Sequence, residues 1–230
     1  MQAMLMKLWL TLVQFGFRLL YYEAAWSYDL VSWLVSLGEW RRWQLAALPF
    51  VVGREVLEIG HGPGHMLLAL QNARFEVVGL DLSPYMGRQA RKRTQRTIPL
   101  LRGRVQNLPL ETAVFDTVLA TFPTDYIVDP ETLAEVARVL RENGRFVIVP
   151  EGHLTGGGVV NRFIEWLFAI TGQRLLLDDQ GQHDSLFEAM WQPYLQRFTT
   201  AGFAVHFEQI HLKRSALTVI IAEKSGNMEK

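Results

Sequence analysis

Two carboxylates and three glycines carry the most specific chemistry in this sequence. Glu58 and Asp81 bracket Gly60, Gly62 and Gly64, which fall at alternate positions in the segment EVLEIGHGPGHMLLALQNARFEVVGLD, residues 55–81. Glycines so placed let the chain turn sharply and let a ligand lie against bare main chain. A helix starting behind them turns free N–H groups and a positive dipole end toward an anion. An acid closing the next apolar run can accept hydrogen bonds from two ribose hydroxyls. The order apolar run, glycine loop, helical pattern (Met66, Leu67, Leu70), apolar run, acid is the strand–loop–helix–strand grammar of a nucleotide site at the C-terminal edge of a parallel sheet. A dinucleotide fingerprint places its third glycine one residue later, where His65 stands, so the spacing disfavours an NAD-type oxidoreductase.

Composition narrows the classes. The 230 residues suffice for one large domain, and 49% hydrophobic content excludes a disordered chain. With 23 basic and 23 acidic residues the net charge is zero, which argues against a nucleic-acid footprint. The absence of cysteine removes disulfides, zinc-thiolate sites and a thiolate nucleophile. No metal cluster with suitable spacing is visible; His61 and His65 read as residues that order the glycine loop.

The spacing G-x-G-x-G with an acid two residues before the first glycine, Glu58-Ile59-Gly60-His61-Gly62-Pro63-Gly64, resembles the first motif of class I S-adenosylmethionine-dependent methyltransferases. Tyr28-Asp29 resembles the pair that precedes this motif in methyltransferases of the ubiquinone/menaquinone biosynthesis type. Leu108-Pro109 and Phe115-Asp116 match, in order, the residues after that family's third strand and at the start of its central strand. The resemblance spans residues 25–150 by motif and the last strands by pattern. It implies an α/β fold: a Rossmann-like, doubly wound, seven-stranded, mostly parallel sheet with an antiparallel last strand and extra N-terminal helices. It implies S-adenosylmethionine as cofactor, with Glu58, Gly60, His61, Gly62, Gly64, Asp81, Leu82, Met86, Val105, Gln106 and Thr121 around it. The sequence departs from the family at Arg104, where an acid is usual, which shifts adenine recognition to Val105, Gln106 or Asn107. The loop 121–124 lacks the Asn/Asp-Pro-Pro-Tyr pattern used on amino groups of DNA bases.

Other elements must position these residues. Residues 4–22 are apolar except for a narrow stripe, Lys7, Thr11, Gln14 and Arg18. They read as a helix lying over the domain as a lid, or as one that also contacts a membrane surface. Ser27 caps a helix ending near Gly38, and a second helix runs to about Leu48, stopped by Pro49. Ser83-Pro84 start a helix carrying Arg88, Lys92 and Arg96 on one face, a solvated outer helix or a surface for an anionic partner. Asp129-Pro130 start another, ended by Gly144, with a fifth strand at 145–150. The domain limits read as an N-terminal cover at 1–50, the main domain at 51–224 with a helical insertion at about 151–200, and a frayed tail at 225–230.

A methyl on a sulfonium is already activated, so a general base is needed only for a protonated oxygen or nitrogen nucleophile. Candidates for base or positioner are Tyr28, Asp125 and His153; each could instead be packed, solvated or capping. The expected acceptor is a small, lipophilic molecule, the expected location cytoplasmic or peripheral at a membrane. The alternatives are an aminopropyl transferase, needing carboxylates such as Asp125 and Asp129 near the cleft, and a non-catalytic cofactor-binding module that recruits a partner.

Overall fold

A computed structural model describes residues 28–155 and 183–225. The expected helix at 4–22, the part of the expected helical insertion from 156 to 182, and the tail beyond 225 lie outside the described residues. The strands are β1 (Glu55–Ile59), β2 (Glu76–Asp81), β3 (Leu100–Arg102), β4 (Phe115–Thr121), β5 (Leu140–Val149), β6 (Gly152–Leu154), β7 (Phe203–His211) and β8 (Ser215–Lys224). The helices are α1 (Tyr28–Ser36), α2 (Trp40–Leu45), α3 (His65–Asn72), α4 (Pro84–Arg93), α5 (Pro130–Val139) and α6 (His183–Thr200).

The sheet order is β3-β2-β1-β4-β5-β8, with β6 and β7 also paired to β8. β1 to β5 run parallel. β8 is antiparallel to β5, β6 and β7. β5 meets β8 at 220–223 and β6 meets it at 215–217, so β6 prolongs the row that β5 begins. The eight strands therefore fill seven rows, with the last strand in sequence antiparallel, as the resemblance implies.

The central strands are buried on both faces, as parallel strands between helix layers must be. Strand alternation divides their side chains. Leu57, Val118, Phe146 and Ile148 face α5 and α6 through Leu133, Val136 and Phe198. Val56, Leu119, Val147 and Val149 face α2, α3 and α4 through Trp43, Met66, Leu70 and Ala90.

Three boundaries differ from the sequence reading. Pro49 does not end α2, which stops at Leu45; it sits at the start of a 3-10 turn, Leu48–Phe50, where its missing N–H costs no hydrogen bond. α5 ends at Val139 rather than at Gly144, because Leu140 already pairs with Phe115 at the start of β5. Gly144 lies within β5 instead, beside an irregularity in the β4–β5 register, where a Cβ would meet the Arg141 and Asp116 carbonyl oxygens at 2.9 and 3.0 Å. Gly152, at the start of the expected helical insertion at about 151–200, opens the short strand β6 instead.

α1 is tied to the glycine loop by one carboxylate. His65 Nε2 donates to Asp29 Oδ1 at 2.8 Å, and Arg93 Nη2 donates to Asp29 Oδ2 at 2.6 Å. Arg93 also donates to the Pro63 carbonyl. Burial opposes ionisation of Asp29, but His65 and Arg93 outweigh it and hold the carboxyl below its ordinary range. Asp29→Asn should loosen α1 by at most about 1 kcal/mol, because the pair is partly solvated. Faster amide hydrogen exchange across 28–36, with the sheet unchanged, is the expected result; unchanged exchange would show that the helix is held by packing alone.

Candidate functional site

The site is built at the C-terminal ends of β1, β2 and β4. After Ile59 the chain turns through Gly60, whose N–H donates to Leu80 O at 2.7 Å. Gly60 has φ +68°, and a Cβ there would stand 2.7 Å from the Tyr126 hydroxyl. Gly64 caps α3 in the left-handed conformation, and a Cβ on it would meet that of Ala90 at 2.9 Å. Gly60 keeps the cleft open, then, while Gly64 lets α3 and α4 approach.

Asp81 closes β2 and stitches the loop. Its Oδ2 accepts from Gly62 N–H at 2.9 Å and its Oδ1 from Ser83 N–H at 2.7 Å. Each carboxylate oxygen retains a further lone pair for a ligand hydroxyl. Ser83 in turn caps α4, accepting from Met86 N–H at 3.3 Å.

These residues wall a cavity of about 380 Å³, within the range of about 300–1,000 Å³ usual for small-molecule sites. Ile59, Gly60, Gly62, Leu80, Asp81, Leu82 and Ser83 form one side, and Gly103, Arg104, Val105 and Gln106 a second. Thr121, Phe122, Pro123, Thr124 and Tyr126 form the third. Phe122 has φ +53°, costly for an aromatic residue. It is fixed by its N–H donating to Val149 O at 2.7 Å and by stacking on Trp40, ring centroids 4.0 Å apart. Thr121 is held by Gln44 Nε2 at 3.3 Å. α2 thus braces the β4 side of the cleft.

Of the residues singled out in the sequence, Gly60, Gly62, Asp81, Leu82, Val105, Gln106 and Thr121 line this cavity. Glu58, His61, Gly64 and Met86 do not. Met86 is fully buried within the fold. His61 is buried too, its Nδ1 donating to Gly62 O at 2.7 Å; burial keeps it neutral by lowering its pKa. Burial likewise lowers the His65 pKa.

Of the candidate bases, Asp125 is exposed in a 3-10 turn, Asp125–Val128, between two lining residues but outside the lining. His153 lies on β6 opposite Ala216 and does not line the cavity. The Tyr28 side chain lies outside the described residues. The residue the sequence reading missed is Tyr126. Its signal was weak: it lies five residues past the end of β4, in a turn whose direction only the fold sets.

Glu58 is the most unusual group nearby. It is wholly buried at the penultimate position of β1, and neither carboxylate oxygen has a hydrogen-bond partner among the described residues. Burial, reinforced by the Asp81 charge, raises its pKa well above the ordinary 4.5. The native state therefore holds an extra proton between the unfolded and folded pKa values, so stability falls as pH rises through that window. Below the unfolded value the cost is absent; above the folded value it is complete. Without ligand, Glu58→Gln should match the parent's melting at pH 4 and be more stable by about 1 kcal/mol or more at pH 8. A melting difference independent of pH would refute the buried, unpaired carboxyl.

Among the described residues no three histidines or acids are grouped to hold a metal, and no helix is long and apolar enough to cross a membrane.

Comparison with known proteins agrees with the architecture. Residues 57–148 match a family profile described as "Methyltransferase domain". A demethylmenaquinone methyltransferase of Renibacterium salmoninarum is 30% identical over 149 residues, covering 63% of this chain and 62% of that protein. The ubiquinone/menaquinone biosynthesis C-methyltransferase UbiE of Syntrophotalea carbinolica is 33% identical over 141 residues, covering 57% and 60%. The match thus spans less than two thirds of either relative. A solved Thermotoga maritima structure, described as a SAM-dependent methyltransferase and possible histamine N-methyltransferase, superposes with TM-score 0.56 at 20% identity, covering 84% of this chain and 92% of that one. At that identity the likeness speaks for the fold alone. Profile, relatives and sheet order converge on one likeness: residues 57–148 are similar to a methyltransferase domain, carried on a Rossmann-like, mostly parallel sheet.

Proposed function

We propose that this protein transfers a methyl group from S-adenosylmethionine to a small, lipophilic acceptor. The observation that carries the reading is the cavity over Gly60 and Gly62, with Asp81 on its wall and an aromatic and proline wall opposite. Bound there, the cofactor supplies a methyl group on a sulfonium that leaves as a neutral thioether. Gly60 and Gly62 give close approach to main chain. Asp81, already fixed by two N–H groups, holds the ribose hydroxyls. Leu82, Val105 and Gln106 flank the adenine. Glu58, beneath the loop, is left to balance the charge of the methionine end, and His61, Gly64 and Met86 act by shaping the loop and α4. Thr121, Phe122 and Tyr126 face the acceptor side. What these residues contribute to rate is position, holding the acceptor atom in line with the methyl.

A lipophilic acceptor is favoured by the apolar wall and by the two relatives, whose names attach them to menaquinone and ubiquinone chemistry. Tyr28 remains a candidate for positioning the acceptor; Asp125 and His153, which do not line the cavity, would act only through a residue that does. We assign residues 1–50 to a cover and 51–224 to the catalytic domain, acting in the cytoplasm. The aminopropyl alternative loses ground because Asp125 stands outside the cavity and Asp129 Oδ2 accepts from Gln106 Nε2 at 3.1 Å.

Two measurements test the proposal: calorimetric titration with S-adenosylhomocysteine, and turnover with a panel of reduced quinones and other lipophilic phenols. Saturable binding and a methylated product are expected. No binding would overturn the cofactor assignment; binding without transfer to any acceptor would favour the recruiting module.

A further inference from the structure

A second hollow, larger than the first, lies along the β3 edge of the sheet. Its volume is about 870 Å³, and four cations, Arg88, Arg91, Lys92 and Arg96, stand over an apolar floor that includes Ile98 and Leu100. Among the described residues no acidic one lines it. All four cations are exposed, and in a chain of 23 basic and 23 acidic residues such segregation is not a product of composition. Arg93, on the same helix, is consumed by Asp29. Among the described residues, Arg91, Lys92 and Arg96 enter no ion pair, while Arg88 lies over the Tyr85 ring, 4.3 Å from its centroid. The turn after α4 holds two consecutive non-glycine residues at positive φ, Gln95 at +52° and Arg96 at +62°. Such strain persists only where surrounding structure enforces it.

The position of the hollow relative to the cleft gives it meaning. α4 begins beside Leu82, a wall of the cofactor cavity that is 46% exposed, and Tyr85 is also exposed. Tyr85, Arg88 and Lys92 follow at spacings of three and four, on one face of the helix. A strip thus runs from apolar residues at the cavity rim to a cluster of cations. That combination suits the boundary between lipid headgroups and acyl chains, where aromatic and aliphatic side chains insert and Lys/Arg meet anionic phosphates. A nucleic acid fits less well, since the net-neutral chain lacks the basic surplus that phosphate-backbone binding uses.

We infer that the α4 hollow docks the protein on an anionic lipid surface, with the cleft rim against the bilayer. The surface is built from residues other than those of the segment 4–22. Docking here presents the cavity to a lipid-dissolved acceptor, and in that respect the inference rests on the lipophilic-acceptor reading.

The experiment uses the full chain and vesicles of phosphatidylcholine with or without phosphatidylglycerol. The variant combines Arg88→Gln, Arg91→Gln and Lys92→Gln, all exposed and outside the cleft. Parent protein should sediment with anionic vesicles and not with neutral ones, and partition should fall as salt rises. The triple variant should lose roughly 100-fold in partition, about fivefold per cation. Its melting temperature and S-adenosylhomocysteine affinity should stay at the parent's values. Equal partition of parent and variant, equal binding to neutral and anionic vesicles, or tighter binding to a short RNA than to the vesicles would each overturn the inference. Vesicle docking without cofactor binding would sink the methyl-transfer reading and leave the docking surface standing, so the two failures are distinguishable.

Discussion

Gly60→Ala should weaken S-adenosylhomocysteine binding by about 2–3 kcal/mol, roughly 30- to 150-fold, the sum of left-handed backbone strain and overpacking. Two separate observations lead there. Alanine resists φ +68°, and its methyl group would stand 2.7 Å from the Tyr126 hydroxyl. Either the loop shifts or the tyrosine moves into the cavity, and both remove the bare backbone on which the cofactor would lie. Tyr126→Phe in the Gly60→Ala background removes the oxygen that collides. That double variant should recover part of the affinity, while Tyr126→Phe alone should cost less than tenfold. Calorimetry gives the affinities, and a thermal melt separates a refolded loop from an unfolded protein. Parental affinity in Gly60→Ala would mean that no ligand lies over this glycine.

Asp81→Ala should cost about 1–3 kcal/mol of cofactor affinity, the range for losing charge-assisted hydrogen bonds. The carboxylate does two jobs in the structure. It accepts the Gly62 and Ser83 N–H groups, and it faces the cavity where a ribose would sit. Asp81→Asn separates them in part, because its one remaining acceptor oxygen can keep only one of the two amides. Asparagine should therefore bind adenosyl compounds more weakly than aspartate, yet melt closer to the parent than alanine does. If alanine lowers the melting temperature and leaves the affinity unchanged, the residue only staples the loop and the ribose lies elsewhere.

Removing the Asp81 charge also bears on Glu58. The Asp81 charge is the second cause, after burial, of the raised Glu58 pKa. In Asp81→Ala the pH-dependent part of stability that comes from Glu58 should shrink but persist.

Much of the architecture was legible because local rules sufficed. The pattern of apolar run, glycines and acid placed β1, the loop, α3 and β2 to within a residue. Ser83-Pro84 and Asp129-Pro130 marked two helix starts, since a cap and a first-turn proline act within one turn of chain. Helix ends were less legible. Gly144 looked like a stop, but pairing with β4 claimed Leu140 first, and that pairing is a long-range event.

The cleft divides in the same way. Gly60, Gly62, Asp81 and the residues after β3 belong to segments whose own sequence sets their shape, and they line the cavity as expected, whereas Gly64 serves helix packing instead. Asp125 and His153 were chosen for chemical type and place in the chain, and neither reaches it. Tyr126 does, because the 3-10 turn after β4 aims it over Gly60. Asp29, which the sequence shows only as the partner of Tyr28 in a resembling pair, grips His65 and Arg93. By itself, then, the sequence determined the succession of elements around the glycine loop, the nucleotide-site grammar and the glycines that leave backbone bare, because these depend on neighbours a few positions apart. Only the tertiary structure decided which side chains converge from β4 and α1, and that Arg91, Lys92 and Arg96 have no acidic partner among the described residues. Those facts depend on the distance between segments that share no local rule.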